Sequence, residues 1–180
     1  MKPEERFHIE QMLRDVPSGE LSIVRHFASE QGPTLLTDQF SAKTSGKGKV
    51  ETYVLFPGIE ASYNIFLAPQ IAFHHDASAS MLELFHCRSG RVGWNMRGGT
   101  AIYLGAGDMT AHSTACCADS DMMFPLGYAQ GISISVDLQY LATDCPDIVQ
   151  EARVDPTRFQ TMFCDGKPVT ISDCPEIVRI

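Results

Sequence analysis

Residues 81–97, MLELFHCRSGRVGWNMR, decide the fold. Two apolar runs flank Ser89-Gly90, and a Gly-containing two-residue link between such runs reads as a tight β-hairpin. With Arg88 opposite Arg91, Cys87 faces Val92, Phe85 faces Trp94 and Glu83 faces Met96. Side chains alternate across a sheet, so Met81, Glu83, Phe85, Cys87, Val92, Trp94 and Met96 share one face. That face is apolar apart from one carboxylate, the composition of a pocket wall in which a few polar groups orient a small molecule.

The flanking segments extend the β pattern. Gly98-Gly99 reads as a second two-residue link, pairing Met96 with Ala101 and Trp94 with Tyr103 and bringing Tyr103 onto the Glu83 face. Upstream, Pro57-Gly58 joins Val50–Phe56 to Ile59–Leu67, whose alternation predicts an inward Tyr63. Residues 68–80 break the pattern and place His74 and His75 on a loop. Downstream, Gly105 to Asp108 reads as a turn with Asp108 as its cap. Gln130–Leu138 then alternates Ile132, Ile134, Val136 and Leu138 against Ser133, Ser135 and Asp137, the pattern of a half-buried strand. Short strands punctuated by Gly and Pro predict a mainly β sandwich or small barrel.

The ends differ. Residues 3–14 carry Phe7, Ile9, Met12 and Leu13 among charges and predict a short leading helix, and the Gly-rich stretch 41–49 reads as a loop. Asp144-Cys145-Pro146, Asp155-Pro156 and Asp173-Cys174-Pro175 each resemble a helix start. The final EIVRI reads as an unfinished element, with the expectation that a larger protein continues beyond it.

At 180 residues and 44% hydrophobic content the chain suits one domain with a sizeable core. Fourteen Lys and Arg against 22 Asp and Glu give a net charge of −8, a poor basis for gripping a phosphate backbone. The charged N-terminus and the lack of a long apolar run predict a cytoplasmic protein with no membrane contact. Six cysteines without a C-x-x-C pair are expected to be reduced and mostly buried.

Four fragments, FPGIEASYN at 56–64, LELFHCRSGR at 82–91, YLGAGDM at 103–109 and FPLGYAQGISISVDL at 124–138, resemble in order and spacing the N-terminal cupin-like domain of AraC-type transcriptional regulators. The resemblance implies a jelly-roll barrel that senses a small-molecule effector and forms a homodimer through helices packed after it. It implies an N-terminal helix and arm over 1–49, the barrel over 50–138 and a C-terminal helical segment over 139–180. DNA would be contacted only through a further C-terminal domain, with two helix-turn-helix motifs, that this chain lacks. No enzymatic activity and no cofactor are expected on this reading. The alternatives are a metal-dependent cupin enzyme and a ligand-free dimerisation scaffold.

The candidate ligand-binding residues are Glu83, Phe85, Trp94, Met96, Tyr103 and Tyr63. A buried carboxylate is costly unless paired, so Glu83 calls for a ligand hydroxyl or amine, or for a protein partner such as Arg88, Arg91 or Arg97. Trp94, the single tryptophan, either stacks on a ligand or fills the core. No metal site is expected. His74, His75 and His112 are its nearest approximation, but the first two are adjacent and would diverge in an extended segment, while His86 lies opposite Glu83. No catalytic Ser-His-Asp pattern, P-loop or dinucleotide fingerprint is present.

Overall fold

The computed structural model describes residues 3–27, 41–164 and 167–172. In chain order the elements are α1 (Pro3–Met12), β1 (Glu20–Phe27), β2 (Ser41–Thr44), β3 (Lys47–Phe56), β4 (Ile59–Leu67), β5 (Gln70–His74), β6 (Met81–Gly90), β7 (Val92–Asn95) and β8 (Ala101–Leu104). There follow β9 (Met109–Ser113), α2 (Thr114–Cys117), β10 (Asp119–Met123), β11 (Tyr128–Asp137), α3 (Leu138–Thr143), α4 (Asp147–Glu151), α5 (Pro156–Phe159) and β12 (Val169–Ile171). A seven-stranded sheet runs β1-β3-β4-β11-β6-β9-β12 and a five-stranded sheet runs β2-β5-β10-β7-β8. Their inner faces share one core, in which Phe66 and Phe85 meet Ile71, Trp94 and Met122. The architecture is the expected mainly β jelly roll with a short N-terminal helix and C-terminal helices.

The central stretch is not a hairpin. β6 pairs with β11 and β9, β7 pairs with β10 and β8, and the chain changes sheets at Gly90. Gly90 has φ 89°, and a Cβ there would lie 2.4 Å from the Tyr128 carbonyl oxygen, so only glycine fits the crossing. The predicted face survives because facing sheets and paired strands alternate with the same period of two. Phe85, Cys87, Val92, Trp94 and Met96 are all buried, and Phe85 meets Trp94 edge-on at 5.8 Å across the gap between sheets.

Tyr103 does not join them; it is 71% exposed. Trp94 pairs with Ile102, one residue away from the expected register. Arg97 enters the turn with Gly98 and Gly99, and the Met96 amide donates to the Thr100 carbonyl at 2.8 Å. A three-residue link replaces the predicted two, and a one-residue slip turns every side chain to the other face.

In β4 and β11 the predicted faces are reversed. The polar members Glu60, Ser62, Asn64 and Ser133 are buried on the inner side, whereas Tyr63, Ile65 and Leu67 lie outside. The outer apolar row is covered by α1 and the turn after it, whose Ile9 and Leu13 pack with Ile65 and Tyr128. Farther along, Leu82, Leu84 and Val136 are covered by Leu138 and Phe159 of the C-terminal helices. Helices on the outer face supply a second apolar layer, so hydrophobicity alone no longer marks the inside.

Other expectations meet mixed outcomes. Pro57-Gly58 does join β3 to β4, and Asp155 does cap α5, accepting from the Thr157 and Arg158 amides. Residues 41–49 are not a loop: they form β2 and the start of β3, and β1 pairs in parallel with β3. The sheets therefore reach back to Glu20 and forward to Ile171, beyond 50–138. Asp144 ends α3 instead of capping α4 and accepts from the Tyr140 hydroxyl. The Asp173-Cys174-Pro175 start and the final EIVRI lie outside the described residues. Among the described residues no helix is long and apolar enough to cross a membrane.

Candidate functional site

A cavity of about 250 Å³ opens between the two sheets, a volume near the ~300 Å³ lower end of small-molecule pockets. One wall is polar. On the inner side of β3, β4 and β11, the Thr52 and Ser62 hydroxyls hydrogen-bond at 2.8 Å, and Asn64 Nδ2 donates to Ser133 Oγ at 2.9 Å. Ser62, Asn64, Ser133 and Ser135 line the cavity. Because these groups hold one another, the row is ordered before any ligand arrives, and its remaining lone pairs and amide atoms face the interior.

The opposite wall is apolar, with Phe73, Trp94 and Met122 contributed by β5, β7 and β10. Trp94 is held at both ends. Its Nε1 donates to Ser120 Oγ at 3.0 Å, Ser120 in turn donates to the Cys117 carbonyl at 2.8 Å, and the indole meets His112 edge-on at 5.0 Å.

The two walls meet around Glu83, which pairs directly with His112 across β6 and β9. Cys117, the last residue of α2, closes the group: its Sγ lies 3.7 Å from Glu83 Oε2 and 3.5 Å from His75 Nε2. Burial raises the Glu83 carboxyl above the usual carboxylate range, against the opposing pull of His75 and of the Cys117 hydrogen bond. Burial, with the Glu83 charge next, pushes the Cys117 thiol well above its ordinary range. His112 is pushed down to about 3, chiefly by burial and then by the charge of His75. Its ring is fully buried, and neither nitrogen has a hydrogen-bond partner among the described residues.

Of the residues singled out in the sequence, Glu83, Phe85 and Trp94 lie on the cavity wall. Met96 is buried in the core beside it and does not line it. Tyr63 stands on the outer face against α1, and Tyr103 points to solvent, so neither reaches the cavity. His74 ends β5, not a loop, and is exposed with its Nδ1 on Asp119 Oδ1, while its neighbour His75 turns the other way, onto the cavity. His86 is buried on the face opposite Glu83, as predicted. Sequence reasoning missed Ser62, Asn64 and Ser133, and it considered Cys117 only as a possible thiolate partner of Cys87 and Cys116, not as a neighbour of Glu83. A signal was present for the first three: small polar residues every second position in both β4 and β11.

No family model matches the chain, and no curated protein matches it either. Solved structures do. A cupin-like protein from Thermotoga maritima is similar over 62% of this chain and 82% of its own, with 17% identity and a TM-score of 0.41. An uncharacterized protein with a double-stranded β-helix domain from Klebsiella pneumoniae covers 52% and 80%, with 14% identity and a TM-score of 0.42. Ectoine synthase from P. lautus covers 56% and 66%, with 11% identity and a TM-score of 0.37. These likenesses agree with the two-sheet jelly-roll topology described above. Ectoine synthase is an enzyme, which runs against the expectation of no enzymatic activity; that expectation is withdrawn, and no activity is assigned in its place. None of these likenesses singles out a regulator of the AraC type.

Proposed function

We propose that this cupin barrel binds a small molecule in its cavity and serves as the effector-sensing, dimerising domain of an AraC-type regulator. The observation that carries ligand binding is the pre-ordered polar row of Ser62, Asn64 and Ser133 facing the apolar wall of Phe73, Trp94 and Met122. Such a chamber suits a compact molecule with hydroxyl or amide groups along one edge and an apolar face on the other. The regulator reading is supported by the order of the four sequence fragments, which run from the end of β3 to the first residue of α3. A ligand with different affinity for two domain arrangements would shift their populations.

The single tryptophan makes the test direct. In a metabolite panel, compounds that alter Trp94 emission and raise the Tm of the wild type are expected to lose both effects with Asn64→Leu. Binding that survives Asn64→Leu and Ser133→Val would overturn the assignment of the polar row. Turnover of the bound compound would move the chain from sensor to metal-dependent enzyme.

A further inference from the structure

We propose that Glu83, His112 and Cys117 form a binding site for one borderline-soft divalent metal ion of the zinc class, at the junction of the cavity walls. One ligand atom from each of the three lies within 4.8 Å of the other two, the one such group of His, Cys and acidic residues among those described. They come from two neighbouring strands of one sheet and the helical turn after the second. Glu83 sits in β6, His112 opposite it in β9, and Cys117 on the helical turn that follows β9.

The second observation is the His112 ring itself. An imidazole has two nitrogens that require partners, and a buried polar atom left without one costs about 1–3 kcal/mol. His112 is fully buried with neither nitrogen satisfied, although a carboxylate oxygen and a sulfur lie within 4.8 Å. A ring packed only for bulk against Trp94 needs no such company; one that ligates a metal does.

The donor set selects the ion. Thiolate, imidazole and carboxylate together favour zinc or a similar first-row ion over magnesium or calcium, which prefer oxygen alone. With metal–ligand bonds of about 2.0–2.3 Å, tetrahedral neighbours stand about 3.3–3.8 Å apart. Three protein ligands would leave one position open; Glu83 and Cys117 both line the cavity, and His75 Nε2 stands 3.5 Å from Cys117 Sγ. This set departs from the sequence expectation. His74 is excluded by its outward position, and the sulfur ligand comes from a helical turn that the strand pattern does not reveal.

The test uses the full chain stripped of metal and titrated with cobalt(II), then zinc(II) in competition. One cobalt per chain is expected, with a thiolate-to-cobalt charge-transfer band in the near-ultraviolet. Cys117→Ser should abolish the band and weaken zinc binding by more than about a hundredfold, the upper end of what outer-shell losses cost. Cys116→Ser and Asn64→Leu should change neither, which separates this site from the polar ligand row. If Cys117→Ser does not fold by circular dichroism, His112→Gln and Glu83→Gln replace it, each expected to weaken zinc binding to the same extent. Absence of stoichiometric cobalt, or a band and zinc affinity unchanged in the folded variants, would overturn the proposal.

Discussion

Glu83 and His112 stand directly opposite each other across β6 and β9, on the inner face of the seven-stranded sheet. The pairing joins Glu83 to a histidine nearly thirty residues later in the chain, and it fixes where the chemistry of this barrel is concentrated. Cys117 approaches from the helical turn after β9 and His75 from just beyond β5 of the facing sheet, so four groups able to hold protons or metal meet beside the cavity.

Gly131 controls the wall beside that cluster. The β11–β6 register shifts between Gln130 and Gly131, and a Cβ on Gly131 would lie 2.6 Å from Phe85 Cζ and 2.7 Å from the His86 carbonyl oxygen. Gly131→Ala should therefore destabilise the fold by about 1–3 kcal/mol, as overpacking does. Urea unfolding checks this through a lower midpoint at unchanged slope.

Tyr103 provides the opposite expectation. Its exposed ring makes no contribution to the cavity, so Tyr103→Ala should change stability by less than about 0.5 kcal/mol and leave ligand-induced changes in Trp94 emission intact. Loss of the emission response in this variant would show that the β7–β8 turn carries Arg97 outside the link, as the two-glycine register has it.

The sequence was legible wherever one physical cause acted alone. Alternation identified β4 and β11, Asp155-Pro156 identified a helix start, and the inward row from Phe85 to Trp94 emerged even though its strands lie in different sheets. It was illegible where two causes competed. β4 carries an apolar row and a polar row, and only the docking of α1 on Ile65 decides that the polar one faces inward. Tyr103 turned on the length of one glycine link, and Cys117 on a helical turn of four residues, too short to leave a periodic pattern.

His86 sets a pH dependence. It is 7% exposed on the outer side of β6, its Nε2 lacks a partner, and burial, followed by the nearby Arg88 charge, lowers its pKa below 6.5, with the Gly107 backbone pulling it partly back. Below pH 6.5 the unfolded chain binds a proton that the folded chain resists. Stability is thus lost as pH falls from 6.5 towards the folded-state pKa, at no more than ~1.4 kcal/mol per pH unit. His86→Asn should make the acid limb of a stability–pH curve shallower; an unchanged limb would place the lost stability on other groups.

The most direct measurement is mass spectrometry of small molecules released on denaturing the purified chain, wild type beside Asn64→Leu of matched folding. The account predicts a compound released from the wild type in near-stoichiometric amount and missing from the variant. Identical small-molecule content in the two would contradict the claim that the polar row of β4 and β11 makes this barrel a ligand chamber.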